Sequence, residues 1–441
     1  SYGGRSFVVD WANEGDDFLA CTLTKTYGKK GVGVSQMRDL PVTLFEGDIN
    51  DSNICALIPR DGQHRPAIWA FCSSPEFNST IRTLDQSLKV TNATLVKVPF
   101  DLEHWQKVAD EQYPNGLPEP QSDDLTQWLF HGHPAHAEDE AGKFAAPLHA
   151  AVARLVGYRW PAEQDEEMEL AEEARALTKE AAVLDRFTDD DGIVCLPPVA
   201  RERPAEDRLT DLLRAAYGDR WSAGLLQKML EQEGVGRGGL DKWLRDTFFK
   251  NHSQLFGHRP FVWHVWDGHR EGFAALVNYH TLDRAGLEKL TYTYLGDWLG
   301  RQRAAVTAGE AGADARLAAA EVLQRQLKLI LEGEPPYDVF VRWKPADEQP
   351  IGWEPDLNDG VLVNVWPFVE AGVLRHNPKV KWTKDRGKNP EGEPWGPERH
   401  NRYEDLVDRY KLKDDNGKPI PHLTNEVKRK ARAKTQPPAQ A

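Results

Sequence analysis

Cysteine and methionine are scarce: the 441 residues include 4 Cys and 3 Met. Cys21, Cys55, Cys72 and Cys195 are scattered and form no C-x-x-C pair. That argues against a cysteine zinc site and against a disulfide scaffold, and reads as reduced thiols. No run of about 18 consecutive apolar residues exists, so no membrane-spanning helix and no membrane partner are expected. The first residues do not form a secretory leader, and together with the cysteine usage this predicts a cytoplasmic location. The sequence opens on Ser1 rather than Met, within what reads as ordinary folded chain, which fits a fragment or a processed product. No repeat recurs at a fixed period. Net positive charge is lacking as well: the formal charge is -14, which alone argues against non-specific nucleic-acid binding.

What is present is ordinary globular composition, 40% hydrophobic and 28% charged, at a length that favours two or three domains over one core. The charge is unevenly placed. Glu163 to Glu180 is strongly acidic, Arg375 to Lys388 carries six basic residues and one acidic residue, and Lys428 to Lys434 is basic again. Local patches therefore say more about partners than the total does. The 15 Trp imply several aromatic clusters, most of them in cores and domain contacts.

Strands are predicted at Ser6 to Val9, Phe18 to Cys21 and Ile54 to Pro59. An apolar helix should begin at Arg65, and Ser74 should cap a second one with Pro75 in its first turn, running to about Leu88. Val90 to Pro99 reads as extended, and Tyr113 to His136 as loop-rich. Helices are expected over Ala145 to Val156 and over the acidic stretch Glu163 to Ala182, with a domain boundary near Trp160. Asp189-Asp190-Asp191-Gly192 and Leu196-Pro197-Pro198 mark a loop, followed by two or three helices between about Ala205 and Lys250. Phe261 to Trp266 and Phe273 to Val277 form a predicted hairpin. A long helical region, Leu287 to Leu331, breaks near Gly309 to Gly312, and a strand at Val339 to Val341 follows it. The fold class is α+β.

Three stretches carry a family resemblance. The first is Ala67-Ile68-Trp69-Ala70-Phe71-Cys72-Ser73-Ser74-Pro75-Glu76-Phe77-Asn78, continuing through Lys89-Val90-Thr91-Asn92-Ala93-Thr94-Leu95 to Val98-Pro99-Phe100. It resembles the closing unit of target-recognition domains in restriction-modification methyltransferases. The second is His258-Arg259-Pro260-Phe261-Val262-Trp263-His264-Val265-Trp266 with Leu276-Val277-Asn278-Tyr279-His280 and Leu282-Asp283. The third is Gln349-Pro350-Ile351-Gly352-Trp353-Glu354-Pro355-Asp356-Leu357-Asn358-Asp359-Gly360-Val361, with Lys381-Trp382 and Lys384 to Gly387. Both resemble the C-terminal region of large bacterial adenine-specific DNA methyltransferases of type II restriction systems and of BREX- and DISARM-like phage defence. The resemblance spans roughly residues 55 to 405.

It implies that residues 1–160 end a target-recognition domain, 161–250 form a helical spacer and 251–427 form a loop-rich C-terminal α+β domain; the residues of 428–441 themselves predict a basic disordered tail. It implies double-stranded DNA as partner, other defence proteins besides, and S-adenosylmethionine as cofactor of the full-length enzyme. The catalytic domain of such enzymes carries a Gly-rich cofactor loop and an Asn-Pro-Pro-Tyr motif that holds a flipped adenine. Neither has a convincing copy here, so no catalytic or cofactor-binding residue is assigned and the chain alone is expected to be inactive. Glu334-Pro335-Pro336-Tyr337 differs from that motif by one residue, but it follows a helical stretch and reads as a helix stop. Gly28-Lys29-Lys30-Gly31-Val32-Gly33 is a lone Gly-rich turn.

The candidate DNA contacts are Arg82 and Lys89 in the first domain, and Arg342, Lys344, Lys379, Lys381, Lys384, Arg386 and Lys388 in the last, where Trp343 and Trp382 are interleaved. Lys97 reads as flanking a strand. His131, His133 and His136 with Asp123 and Asp124 lack defined ligand spacing, so no metal is expected. Asp356 and Asp359 with Lys379, Lys381 and Lys384 lack the Glu-x-Lys of a metal-dependent nuclease. The alternative function is a protein-interaction module of a defence complex with no DNA contact of its own. A self-sufficient enzyme is a third.

Overall fold

The computed structural model describes residues 26–37, 39–47, 53–137, 146–236, 238–341, 344–379 and 423–435. The expected strands at Ser6 to Val9 and Phe18 to Cys21 lie outside the described residues. The chain forms two compact units, one of residues 1–131 and 161–177, the other of 132–160 and 178–441. The chain thus passes between units next to Trp160 but also at two other points. The segment expected as a spacer enters the first unit through 161–177 and the second thereafter.

The first unit holds an antiparallel sheet in the order β2-β1-β3, with β1 Gly31–Ser35, β2 Val42–Phe45 and β3 Ile54–Leu57. Val32 and Val34 of the central strand are fully buried. A Cβ at Gly31 would collide with the Leu57 carbonyl, so glycine is required where β1 and β3 approach. Two helices follow, α1 (Arg65–Cys72) and α2 (Pro75–Leu84). Ser74 Oγ accepts the Phe77 N–H at 3.3 Å and caps α2 as expected. This helix stops at Leu84, where Asp85 turns extended.

The stretch from Val90 to Pro99 is not extended: Asn92–Leu95 is a short helix, α3. Thr94 Oγ1 donates to Asp85 Oδ2 at 2.9 Å, which curls this segment back. Sequence reading also missed α4 (Leu102–Gln112), although Asp101 caps it by accepting from the His104 N–H. Phe71 of α1 meets Phe77 at 5.2 Å and Trp105 of α4 at 5.1 Å between ring centres. These rings, with Ile81 and Val90, form the core of the unit. The unit also takes in α6 (Pro161–Gln164) and most of α7 (Glu172–Ala182). The acidic helix is therefore shorter than expected.

The second unit contains α5 (Pro147–Leu155), buried along its whole length. Its sheet runs β4-β6-β5, all antiparallel, with β4 Ile193–Cys195, β5 Val262–Trp266 and β6 Ala274–Asn278. The β5–β6 hairpin matches expectation, with Trp263 opposite Val277. Helices α8 (Ala205–Tyr217), α9 (Ala223–Gln232) and α10 (Leu240–Trp243) lead through a π-helical turn into α11 (Phe249–Leu255). The long helical region is α12 (Arg284–Glu288), a π-helical turn, α13 (Leu295–Thr307) and α14 (Ala313–Glu332), broken at Ala308 to Gly312 as expected.

Beyond α14, Val339 to Val341 is not a strand. The Gln349 side chain takes the place of a neighbouring strand, accepting from the Val341 N–H at 2.9 Å and donating to its carbonyl at 2.5 Å. Helix α15 (Val361–Glu370) follows. Of the tail expected to be disordered, residues 428 to 435 belong instead to helix α16, Asn425–Thr435, and 436–441 lie outside the described residues. Lys428 is fully buried there, 3.6 Å from Asp338, and donates to the Pro350 carbonyl at 2.8 Å. Helices dominate and both sheets are small, so the class is α+β. Among the described residues no helix is long and apolar enough to cross a membrane.

Candidate functional site

In the second unit, between the segment Arg186 to Asp190 and α8, lies an open cleft of about 560 Å³, lined also by Glu202, Arg203 and Arg208. Asp189 and Asp190 of the Asp189-Asp190-Asp191-Gly192 turn, just before β4, line it. Gly192 has φ +75° and a Cβ there would meet Thr281 Oγ1, so the turn needs glycine. Asp189 Oδ1 accepts the N–H groups of Asp191 (3.1 Å) and Ile193 (3.3 Å), while Oδ2 accepts from Arg208 at 2.8 Å. Arg208 also donates to Glu202 at 3.2 Å. Tyr294 Oη lies 2.8 Å from both Asp191 Oδ2 and Glu202 Oε1, with one proton to donate between them, and Lys289 pairs with Asp191.

Burial, with Asp191 next to it, pushes the Asp189 carboxyl up to about 6, against the pull of Arg208. Asp189 still carries its charge at neutral pH. Burial also acts on Asp191, but hydrogen bonds with Asp189, Lys289 and Tyr294 outweigh it and hold this carboxyl below its usual range. A carboxyl titrating near neutrality in the lining of a cleft is the kind of group general acid–base chemistry uses. The three aspartates each place an oxygen within 4.8 Å of the others, the one such trio among the described residues. The donors just named occupy Asp189 and Asp191, so a cation held here would compete with Arg208 and Lys289. Holding the turn, β4 and the π-helical turn together accounts for these contacts without a ligand.

A second polar cluster is internal. Glu233 accepts from Asn251 at 2.8 Å and from Trp243 at 3.4 Å, and lies 3.1 Å from His149 Nε2. The His149 and His252 rings both stack on Phe248. His252 Nε2 accepts the Val262 N–H at 3.1 Å, tying α11 to β5.

Most described candidates for DNA contact hold oxygens of this chain. Arg82 donates to the Ser87 carbonyl at 2.6 Å and Lys89 to Asn53 Oδ1 at 3.0 Å. Lys344 lies 3.3 Å from Asp356 and 2.7 Å from Asp359, so the aspartates weighed for a nuclease serve to hold a lysine. Lys379 is exposed, with φ +54°. Arg342, Lys381, Lys384, Arg386 and Lys388 lie outside the described residues, as do Trp343 and Trp382. Lys97 is exposed in the turn after α3 and flanks no strand.

The decoys resolve into structure. Glu334 Oε2 accepts the Asn425 N–H at 3.1 Å, so this near-motif helps seat α16. Gly31 to Gly33 lie in β1, with no helix after them, and Lys30 pairs with Glu46 and Glu169. His131 faces Asp123 at 3.4 Å, while His133 caps its own turn by accepting the Ala135 N–H. Cys55, Cys72 and Cys195 are buried free thiols.

The second and third stretches set out above are joined in the core through Asn364 and Phe368 of α15, which belong to neither. Trp263 stacks on Tyr279 at 5.0 Å and touches Phe368 at 5.0 Å, and Phe368 meets Trp353 at 5.4 Å. Asn364 donates to Tyr279 Oη and to the Asp356 carbonyl, both at 2.7 Å, and its own carbonyl accepts from Trp353 Nε1 at 3.3 Å. Neither a family model nor a curated protein matches the sequence.

Proposed function

We propose that this chain is the DNA-recognition part of an adenine-specific DNA methyltransferase of a restriction-modification or phage-defence system. Methyl transfer from S-adenosylmethionine would belong to a catalytic domain outside this chain. The observation that carries the reading is the convergence of Trp263 and Tyr279 with Trp353 and Asn364. Two stretches that resemble one family, far apart in sequence, are bridged by Asn364 and Phe368 of α15 into a single buried cluster. Phosphate contacts would fix register and side chains in the major groove would read bases.

The internal bonds of Arg82, Lys89 and Lys344 favour a second reading, a protein-interaction module of a defence complex without DNA contact. Fluorescence anisotropy of the full chain with duplex DNA separates the two. A DNA reader loses affinity steeply between about 50 and 200 mM salt. Absence of binding to any duplex at the low end removes the DNA reading. Stoichiometric binding of S-adenosylmethionine to this chain would overturn the assignment of the cofactor site elsewhere.

A further inference from the structure

We propose that the outer face of α16 is a phosphate-contacting surface for duplex DNA. This rests on the DNA-recognition reading and names one surface for it. Residues Asn425 to Thr435 contain five cations and one acid, within a chain whose net charge is -14. The helix sorts these cations. Lys428 and Arg432 turn inward: Lys428 reaches Asp338 and the Pro350 carbonyl, and Arg432 donates to the Asp347 and Gln349 carbonyls at 3.0 and 2.7 Å. Asn425 on the same side holds the Glu332 carbonyl at 2.7 Å, and Val427 and Ala431 pack against Phe340, Ala346 and Leu423.

Arg429, Lys430 and Lys434 are exposed. At 3.6 residues per turn they fall within an arc of about 140°, over a rise of about 7.5 Å. Arg429 and Lys434 have no acidic partner among the described residues. Lys430 pairs with Glu426 at 3.0 Å, but both side chains are more than half exposed (58% and 74%), so water and a phosphate compete easily for the lysine. Two inward cations fix the helix on neutral carbonyls and one buried acid, and Arg429, Lys430 and Lys434 form a basic strip on its outer side. A polyanion with regularly spaced charges fits that strip, and its binding would release counterions.

The test uses the full chain and a fluorescein-labelled duplex of mixed sequence. The triple variant Arg429→Gln, Lys430→Gln, Lys434→Gln should bind more weakly. Its plot of log affinity against log salt should be shallower by about 2.7, three contacts at about 0.9 each. The single variant Glu426→Gln, which removes the one acid, should bind more tightly at low salt. Equal melting curves for the parent and variants check folding, and Glu426→Gln carries the test alone if the triple variant does not fold. If the parent binds duplex and both variants keep its affinity and slope, this surface is refuted while the DNA reading stands. If the parent binds no duplex at low salt, the DNA reading fails and this inference with it.

Discussion

His264 is the residue whose replacement tests most sharply how the second unit balances burial against polarity. It lies on β5 opposite Leu276, is 1% exposed, and neither ring nitrogen has a hydrogen-bond partner. Burial, with the positive Arg375 and Arg245 adding to it, pushes its imidazole down to about 3. The folded value lies below the unfolded one of about 6.5, so the unfolded chain binds the extra proton in between, and stability falls as pH falls through that window. The slope approaches about 1.4 kcal/mol per pH unit below the unfolded value, so acidification from about 6.5 to 4.5 removes about 2.3 kcal/mol through this one side chain. That is a large share of the roughly 5–15 kcal/mol by which domains are stable. Burial depresses His252 in the same direction. Asp189, raised to about 6, acts oppositely: its stabilising effect is present at low pH and is lost as pH rises.

The comparison must therefore be differential. His264→Leu keeps a similar volume and removes both unpartnered nitrogens, while Asp189 and His252 stay the same in both proteins. Unsatisfied buried groups cost about 1–3 kcal/mol each, and a volume-conserving swap costs less than about 1.5 kcal/mol. The variant should be more stable than the parent by about 1 kcal/mol at pH 7. The gap should widen by about 2.6 kcal/mol between pH 7 and pH 4.5, most of it below about pH 6.5. Urea titrations read by hydrogen exchange of the β5–β6 amides confine the signal to this unit. Parallel stability–pH curves for the two proteins would refute the assignment of the titration to His264.

Ser74→Ala removes the cap of α2 and should lower the stability of the first unit by about 1 kcal/mol, read as a shift in its urea midpoint. Lys428→Met leaves Asp338 buried beside an apolar chain and should cost about 3 kcal/mol. Limited proteolysis should then cut within Leu423 to Thr435, and adding Asp338→Asn should restore part of the protection. Glu233→Gln takes away the charge on which Asn251, Trp243 and His149 converge. It should cost about 2 kcal/mol, measured as faster exchange of α11 amides, and an unchanged rate would show that the charge contributes nothing.

What could be read from the sequence was what neighbours in the chain decide. Ser74-Pro75 caps α2 through a contact three residues away, the β5–β6 hairpin turns on Asp267-Gly268, and Gly309 to Gly312 break the helices, all local effects. Strand β4 escaped because three residues between two turns carry no period; only the pairing of Val194 with Leu276 makes them a strand. The Asp189-Asp190-Asp191-Gly192 run was visible as a turn. Arg208, Tyr294 and Lys289, which hold its carboxylates, come from helical segments further along the chain. The basic tail shows the limit most clearly. Its composition alone predicts a solvated, unfolded segment, because nothing adjacent buries a lysine. The partners that bury Lys428 and hold Arg432 lie 78 and 83 to 85 residues earlier. The same holds for the candidate DNA contacts: a list of cations cannot tell which ones the fold occupies. Lys344 is spent on Asp356 and Asp359, whereas Arg429 and Lys434, never singled out individually, point outward from a docked helix. Availability for phosphate is a property of tertiary packing, so it is the surface of α16, and not the count of lysines, that charge substitutions must address.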